Sequence, residues 1–320
     1  MENVTYRHYR PGDETQIVEL WNRCLAHDPI TPERFRNLTL LDANFEPEGL
    51  QTAFAGDRLV GTLYGVRRLV PMHGTDLEPD NGWIPWFFVD PEFRRRGIGA
   101  RLMALAESFF IRCGRKQLYF SPYAPHYIVP GIDEAGYPEG YRFLLAMGFS
   151  RLYSPVAMDR SLVDFTVPDE VAQLKRQREA EGYMFGTAQD RDLYELIRFA
   201  TDVFNPDWGR AIREGVLRGL KLSSIHVARR GDKLVGFCMH GGYEGVRERF
   251  GPFGVDPAEQ GKGLGKILLC DCLFSMRAQG LHSAWFLWTG EKTPAGRLYL
   301  KTGFQITRSF HVMMKKLRDH

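Results

Sequence analysis

Apolar side chains recur at Ile17, Leu20, Trp21, Cys24 and Leu25, the i, i+3, i+4, i+7, i+8 spacing of one helix face. Leu193, Leu196, Ile197 and Ala200 begin the same pattern a second time. Each predicts an amphipathic helix after a short strand. The pattern then turns strand-like: "RLVGTLYGV" from Arg58 and "KLVGFCMHG" from Lys233 read as strands. Further strands end at Val89 and Val255, where Asp-Pro removes the N–H that a ladder needs. A second helical face follows each one, Ile98, Leu102, Leu105 and Phe109 in the first half and Leu264, Leu268, Cys272 and Met276 in the second.

The two halves also match in their letters. "GDRLVG" at Gly56 returns as "GDKLVG" at Gly231, "FVDPEFRRRGIG" from Phe88 as "GVDPAEQGKGLG" from Gly254, and "MGF" at Met147 as "TGF" at Thr302. Three matches in one order predict a duplicated domain, with extra Gly/Pro/Asp-rich loop residues in the first copy around "PMHGTDLEPDNG" and "APHYIVPGIDEAGYP". The expected organisation is a domain over 1–165, a charged helical linker over 166–182 and a domain over 183–320. A chain of 320 residues with 44% hydrophobic content holds enough apolar material for two cores.

Strand, Asp-Pro, polar turn, Gly-x-Gly and apolar-striped helix occur in that order in both copies. Such a junction presents unpaired backbone N–H groups at the positive end of a helix, a site for phosphate. Glycine suits it because a Cβ would hinder both close approach and positive φ. Two familiar phosphate loops are excluded by spacing. A Walker loop needs G-x-x-x-x-G-K-[ST], and Lys266 is followed by Ile267; a dinucleotide fingerprint needs a third glycine where Leu102 and Leu268 stand.

Composition removes other classes. The charge is nearly balanced, 42 basic against 39 acidic residues, so no globally basic nucleic-acid surface is implied. Five cysteines without C-x-x-C spacing argue against a disulfide framework and a zinc site. No apolar run approaches the ~20 residues of a membrane span, and the N-terminus lacks an apolar leader segment. The expectation is a cytoplasmic protein, monomer or homodimer, without metal, nucleic acid or membrane as partner.

The turns Arg94-Arg95-Arg96-Gly97-Ile98-Gly99 and Gln260-Gly261-Lys262-Gly263-Leu264-Gly265 resemble the Q/R-x-x-G-x-G/A loop of the GNAT N-acetyltransferase superfamily, and "AGRLYLKTGF" from Ala295 resembles its A-x-x-L-Y-x-K-x-G-F segment. The resemblance covers both halves. It implies two tandem GNAT-like α/β domains of mixed type, each with a splayed central sheet flanked by helices. The pantetheine arm of acetyl-CoA, or another acyl-CoA, would lie in the splay. Main-chain groups near Phe253 and Val255 would pair that arm, and those from Gly261 to Lys266 would hold the pyrophosphate. Phe87, Val89 and Arg95 to Ala100 would do the same in the first copy, with the side chains of Arg94, Arg95, Arg96, Lys262 and Lys266 adding charge.

The implied reaction is direct attack of a neutral amine on the thioester, which needs a proton acceptor for the amine and a donor for the thiolate. Tyr299 matches the family's tyrosine donor, which places the expected chemistry in the C-terminal domain. Glu244 and Glu248 are the expected bases, with His240 as an alternative. Leu144 stands where the second copy has Tyr299, leaving Tyr141 as a substitute, and Lys292 stands where the family often has an asparagine. Asp133, Tyr137, Glu139 and Tyr141 are expected on the acceptor side, and the acceptor is a small-molecule or a protein or peptide amine. The competing reading is a sensor or structural protein that binds acyl-CoA without turnover.

Overall fold

The structure, a computed structural model, describes residues 3–317. They divide into two compact units that are not contiguous in sequence. Of the described residues, one unit comprises 3–71, 76–155 and 309–317, and the other 72–75 and 156–308. The chain thus leaves the first unit before residue 165, the expected boundary, and its last strand returns to that unit.

The first unit runs β1 (Val4–His8), α1 (Asp13–Cys24), α2 (Pro32–Phe35), β2 (Leu50–Ala55), β3 (Arg58–Val66), β4 (Asn81–Val89), α3 (Ile98–Arg112), β5 (Gln117–Phe120), α4 (Pro138–Ala146) and β6 (Ser150–Tyr153). The second runs β7 (Val156–Ser161), α5 (Asp169–Ala180), β8 (Tyr183–Thr187), α6 (Leu193–Phe199), α7 (Pro206–Leu217), β9 (Ile225–Arg230), β10 (Lys233–His240), β11 (Phe250–Val255), α8 (Leu264–Ala278), β12 (Ser283–Thr289), α9 (Pro294–Lys301) and β13 (Gln305–Ser309). The final strand, β14 (Val312–Lys316), belongs to the first unit.

The sheet of the first unit has the order β1-β2-β3-β4-β5-β14-β6. Only β4 and β5 are parallel, and their register ends at Ile84↔Phe120. Two cores lie on its faces. Ile84, Leu102, Ala106, Phe110 and Leu118 fill the α3 side, and Ile17, Trp21, Leu50, Tyr64 and Trp86 fill the α1 side. Both helical stripes predicted from spacing are the buried ones, because only the apolar face of a surface helix gains by leaving water.

The second unit carries two sheets, β11-β10-β9-β8 and β12-β7-β13. They meet at an isolated bridge, Arg249↔Trp285, and a hydrogen bond from Trp285 N to Glu248 O of 3.1 Å. Each unit has therefore taken a closing strand from the other copy. β7, which follows the first copy in sequence, lies between β12 and β13, while β14 lies between β5 and β6.

Candidate functional site

An irregularity in β4 opens the first sheet. Its register with β3 shifts between Tyr64↔Trp86 and Val66↔Trp83, so two residues of β3 span three of β4 and Pro85 sits in the extra length. A bulge bends its strand and stops pairing, and proline has no N–H to give β5. Beyond Ile84 the strands part. The N–H of Asp90 donates to Val60 O at 2.9 Å, so alternation along the antiparallel ladder turns the polar groups of Phe87 and Val89 to the open edge. In agreement, Val89 O accepts from Arg94 Nε at 3.2 Å and from the Cys24 thiol at 3.5 Å. Burial pushes that thiol up to about 11, so it stays protonated.

At the end of β4 the chain enters the glycine turn. Arg95 (φ 61°) and Gly97 (φ 80°) are both left-handed. Gly97 caps α3 without a side-chain hydrogen bond, so the first-turn N–H groups have no cap. Nothing lies within 4 Å of where a Gly97 Cβ would be, and Arg94, Arg95, Arg96, Gly97 and Ala100 are all exposed. Ile98 is buried and offers only its main chain. Arg94 pairs with Glu139 at 2.9 Å, and Arg96 donates to Glu92 O at 2.8 Å. This turn, the open edge of β4 and the start of α4 line one cleft of about 950 Å³.

The far wall of the cleft comes from the loop after α1 and the segment before α4. Trp21 Nε1 donates to Asp28 O at 2.7 Å, fastening that loop to an indole packed on Trp86 and Phe88. The Tyr137 hydroxyl donates to Asp28 Oδ2 at 2.8 Å and accepts from His27 N at 3.2 Å. Asp133 is buried at 6% exposure and accepts from Gly136 N at 3.0 Å. Of the four residues expected on the acceptor side, Asp133, Tyr137 and Glu139 line the cleft. Tyr141 instead packs against His311, ring centres 5.1 Å apart, and Leu144 is fully buried.

The second copy repeats the backbone: the β10–β11 register shifts between Cys238↔Phe253 and His240↔Phe250, and β11 and β12 part beyond their bridge at Arg249↔Trp285. Gly261 (φ 81°) and Gly263 (φ 79°) reproduce the left-handed pair, and Asp256 N donates to Val235 O as Asp90 does to Val60. Here, however, α5 lies over the turn. Arg178 Nε donates to Lys262 O at 2.8 Å, Lys266 pairs with Glu170 at 2.6 Å, and a Cβ on Gly263 would meet Leu174 Cδ2 at 2.6 Å. Lys262 itself is held by Glu259 and by the Tyr183 hydroxyl. Gln260 and Gly261 stay exposed, Leu264 is buried and Gly265 half-buried like Ile98 and Gly99 in the first turn, and the difference lies at Gly263 and Lys266, which are half-buried where Gly97 and Ala100 are exposed. The segment expected only to link domains is thus a packed part of the second unit.

Tyr299 sits among Phe250, Phe253, Phe286 and Phe304, at 7% exposure, with its ring centre 4.6 Å from that of Phe286. Burial pushes its hydroxyl well above the usual tyrosine range. Phe253 and Val255 are half-buried beside this cluster. Glu244 and Glu248 lie in the turn that leads into β11, and Glu244 pairs with the buried Arg249 at 2.8 Å. His240 Nδ1 lies 2.8 Å from Arg247 O, and burial lowers its basicity. His27, Asp28 and the bulge tryptophan Trp86 are cleft residues that the motifs did not single out. No spacing marks a loop aspartate whose role comes from a tyrosine more than a hundred residues away.

The GNAT acetyltransferase domain profiles match twice, over residues 15–125 and 221–306. The chain belongs to the GNAT acetyltransferase family. It is 25% identical over 308 residues to a mycothiol acetyltransferase of Thermobispora bispora, covering 92% of this chain and 93% of the relative. A mycothiol acetyltransferase of Gordonia bronchialis is 26% identical over 278 residues, covering 81% and 82%. Among solved structures, the glucosamine N-acetyltransferase region of a fungal multi-domain β-N-acetylglucosaminidase superposes with a TM-score of 0.80 at 18% identity, over 98% of this chain and 38% of that one. A tandem GNAT protein from the clavulanic acid biosynthesis pathway superposes with a TM-score of 0.66 at 16% identity, over 99% and 100%. These structures share the fold.

The chain is accordingly a tandem GNAT enzyme that uses an acyl-CoA. The open edge at Phe87 and Val89 and the exposed N–H groups from Arg95 to Ala100 fit a pantetheine arm and a pyrophosphate. Among the described residues no helix is long and apolar enough to cross a membrane.

Proposed function

We propose that the first unit binds acetyl-CoA and transfers its acetyl group to a small-molecule amine, while the second unit is a structural copy without turnover. One observation carries this reading: two glycine turns of the same backbone shape, of which the first is exposed and the second lies under α5. The Tyr299 environment is compatible with it, since its ring packs against four phenylalanines, a setting that calls for an aromatic side chain without any role in turnover. Glu244, committed to Arg249, is poorly placed as a base.

In the first unit Phe87 and Val89 would pair the pantetheine, the N–H groups of residues 95 to 100 would hold the pyrophosphate, and Arg95 would add charge at the same end. Acetyl-CoA supplies an activated thioester. The amine nitrogen bonds to its carbonyl carbon, the C–S bond breaks and the ammonium proton leaves to a carboxylate on the cleft wall. Asp28, Asp133 and Glu139 are the carboxylates lining that space, and Glu139 is paired with Arg94. The mycothiol acetyltransferase relatives, alike along most of the chain, favour a small-molecule acceptor.

The test is calorimetric titration of acetyl-CoA into the full chain, into Ala100→Glu and into Lys266→Glu. Ala100 is exposed in the first turn of α3, so a carboxylate there opposes the phosphates without straining a glycine. One site per chain is expected, weakened at least about tenfold by Ala100→Glu and unchanged by Lys266→Glu. Two sites, or a single site lost with Lys266→Glu, would overturn the assignment.

A further inference from the structure

The cleft of the first unit carries charges of both signs. Arg94 and Arg95 stand at the glycine turn with Glu139, which pairs with Arg94 at 2.9 Å, Arg142 follows on α4, and Asp28 and Asp133 stand on the wall built by the loop after α1 and the segment before α4. The two aspartates are brought together by separate elements. Tyr137 ties Asp28 to the segment that holds Asp133, and a Cβ on Gly136 would lie 3.0 Å from Asp133 Oδ2 and 3.1 Å from His27 Cδ2. Asp28 is in turn fastened to the Trp21 indole, which packs edge-on against Trp86 and Phe88. The Asp28 main chain is thus anchored on the aromatic cluster while its carboxylate reaches Tyr137.

We propose that Asp28 and Asp133 select the acceptor, and that the acceptor is a cationic amine on an apolar body with no carboxylate next to the amine. This rests on the first unit being the transferring one. The ammonium is held by the aspartates before it loses its proton, and the apolar body lies against the half-buried Leu25 and Val129. An α-amino acid presents its own carboxylate to the same pair, and like charges in a partly dry cleft repel. The anionic cofactor and the cationic acceptor are drawn to different parts of one cavity, which orients both.

The experiment compares tryptamine with tryptophan, a pair differing by one carboxylate, and adds glucosamine as a polar amine. Thiol release from acetyl-CoA is followed for the full chain and for Asp28→Asn and Asp133→Asn. Asparagine keeps an oxygen for the Tyr137 O–H and for the Gly136 N–H, so each variant removes the charge and retains that bond. Tryptamine is expected to exceed both tryptophan and glucosamine in kcat/KM by about tenfold or more. Each variant should raise the KM for tryptamine by about tenfold, narrow its lead over tryptophan and leave the KM for acetyl-CoA within about twofold.

Equal use of tryptophan, a preference for glucosamine, or an unchanged tryptamine-to-tryptophan ratio in both variants would overturn the proposal. So would acetyl-CoA binding with no thiol release from any of the three amines. Absence of acetyl-CoA binding at the first glycine turn would instead overturn the functional reading beneath it.

Discussion

A chain ending at Ser309 tests the exchanged strands most directly. The cut removes β14, which pairs with β5 from Met313↔Phe120 to Lys316↔Gln117 and with β6 from Val312↔Tyr153 to Met314↔Ser150. Without it β6 has lost its neighbour and β5 becomes an edge. Phe310, Val312 and Met313 are buried to 1% exposure or less. At about 1.5–3 kcal/mol for each buried side chain their loss costs roughly 5–9 kcal/mol, against about 5–15 kcal/mol for a whole domain. The first unit should therefore lose its fold, though the cut lies far from it in sequence. Calorimetry should show no acetyl-CoA binding, and limited proteolysis read by mass spectrometry should cleave within residues 1–155 while 156–308 stays protected. A peptide of Phe310–Leu317 added in trans should restore part of both signals. The milder Met313→Ala is expected to cost about 2–5 kcal/mol in the same unit. If the shortened chain binds acetyl-CoA normally and resists protease as before, β14 does not complete that sheet and the exchange is wrong.

Two further substitutions bear on the second unit. Tyr299→Phe should leave kcat and kcat/KM within about twofold, whereas a proton donor at that position would show losses of about a hundredfold or more in steady-state thiol release. His226 is buried, and burial lowers its pKa from 6.5 to about 4 beside Asp271, His240 and Lys175. The unfolded chain then binds the extra proton first, so stability is full above pH 6.5 and falls as the pH drops towards 4, by about 3 kcal/mol in all. His226→Phe should flatten that part of the profile. Urea unfolding of the second unit between pH 4 and 7 measures it, and an unchanged slope in the variant would remove His226 as its source.

Backbone features were the legible part of this sequence. Gly-x-Gly after a strand and Asp-Pro forces a left-handed turn into a helix, and both copies obey it, with φ of 80° at Gly97 and 79° at Gly263. The apolar stripes at Ile17, Leu20 and Trp21 and at Ile98 and Leu102 are buried for the same local reason, since periodicity is a property of neighbours in the chain. Pairing across the two copies left no such mark. "VAMDRS" at Val156 and "VMMKK" at Val312 are ordinary strands in sequence, and nothing in either states which sheet it completes.

The same distinction explains why matching motifs suggest opposite roles. What a phosphate turn can do depends on its backbone and on what lies over it, and only the backbone is written in the motif. "DEVAQLKRQREAEG" reads as a charged helix with a weak apolar face, yet its few inward contacts are the decisive ones: Leu174 against Gly263 and Arg178 on the Lys262 carbonyl. Tyr299 belongs to the same pattern. Its motif survives in the second copy because Tyr299 packs with Phe250, Phe286 and Phe304, a core role that needs an aromatic ring there whether or not a thiolate ever passes. Leu144 fills the corresponding place in the first copy with an aliphatic side chain, fully buried beside the open cleft. The residue that matched the family best is therefore held by packing, and the copy that matched it less well keeps the accessible turn.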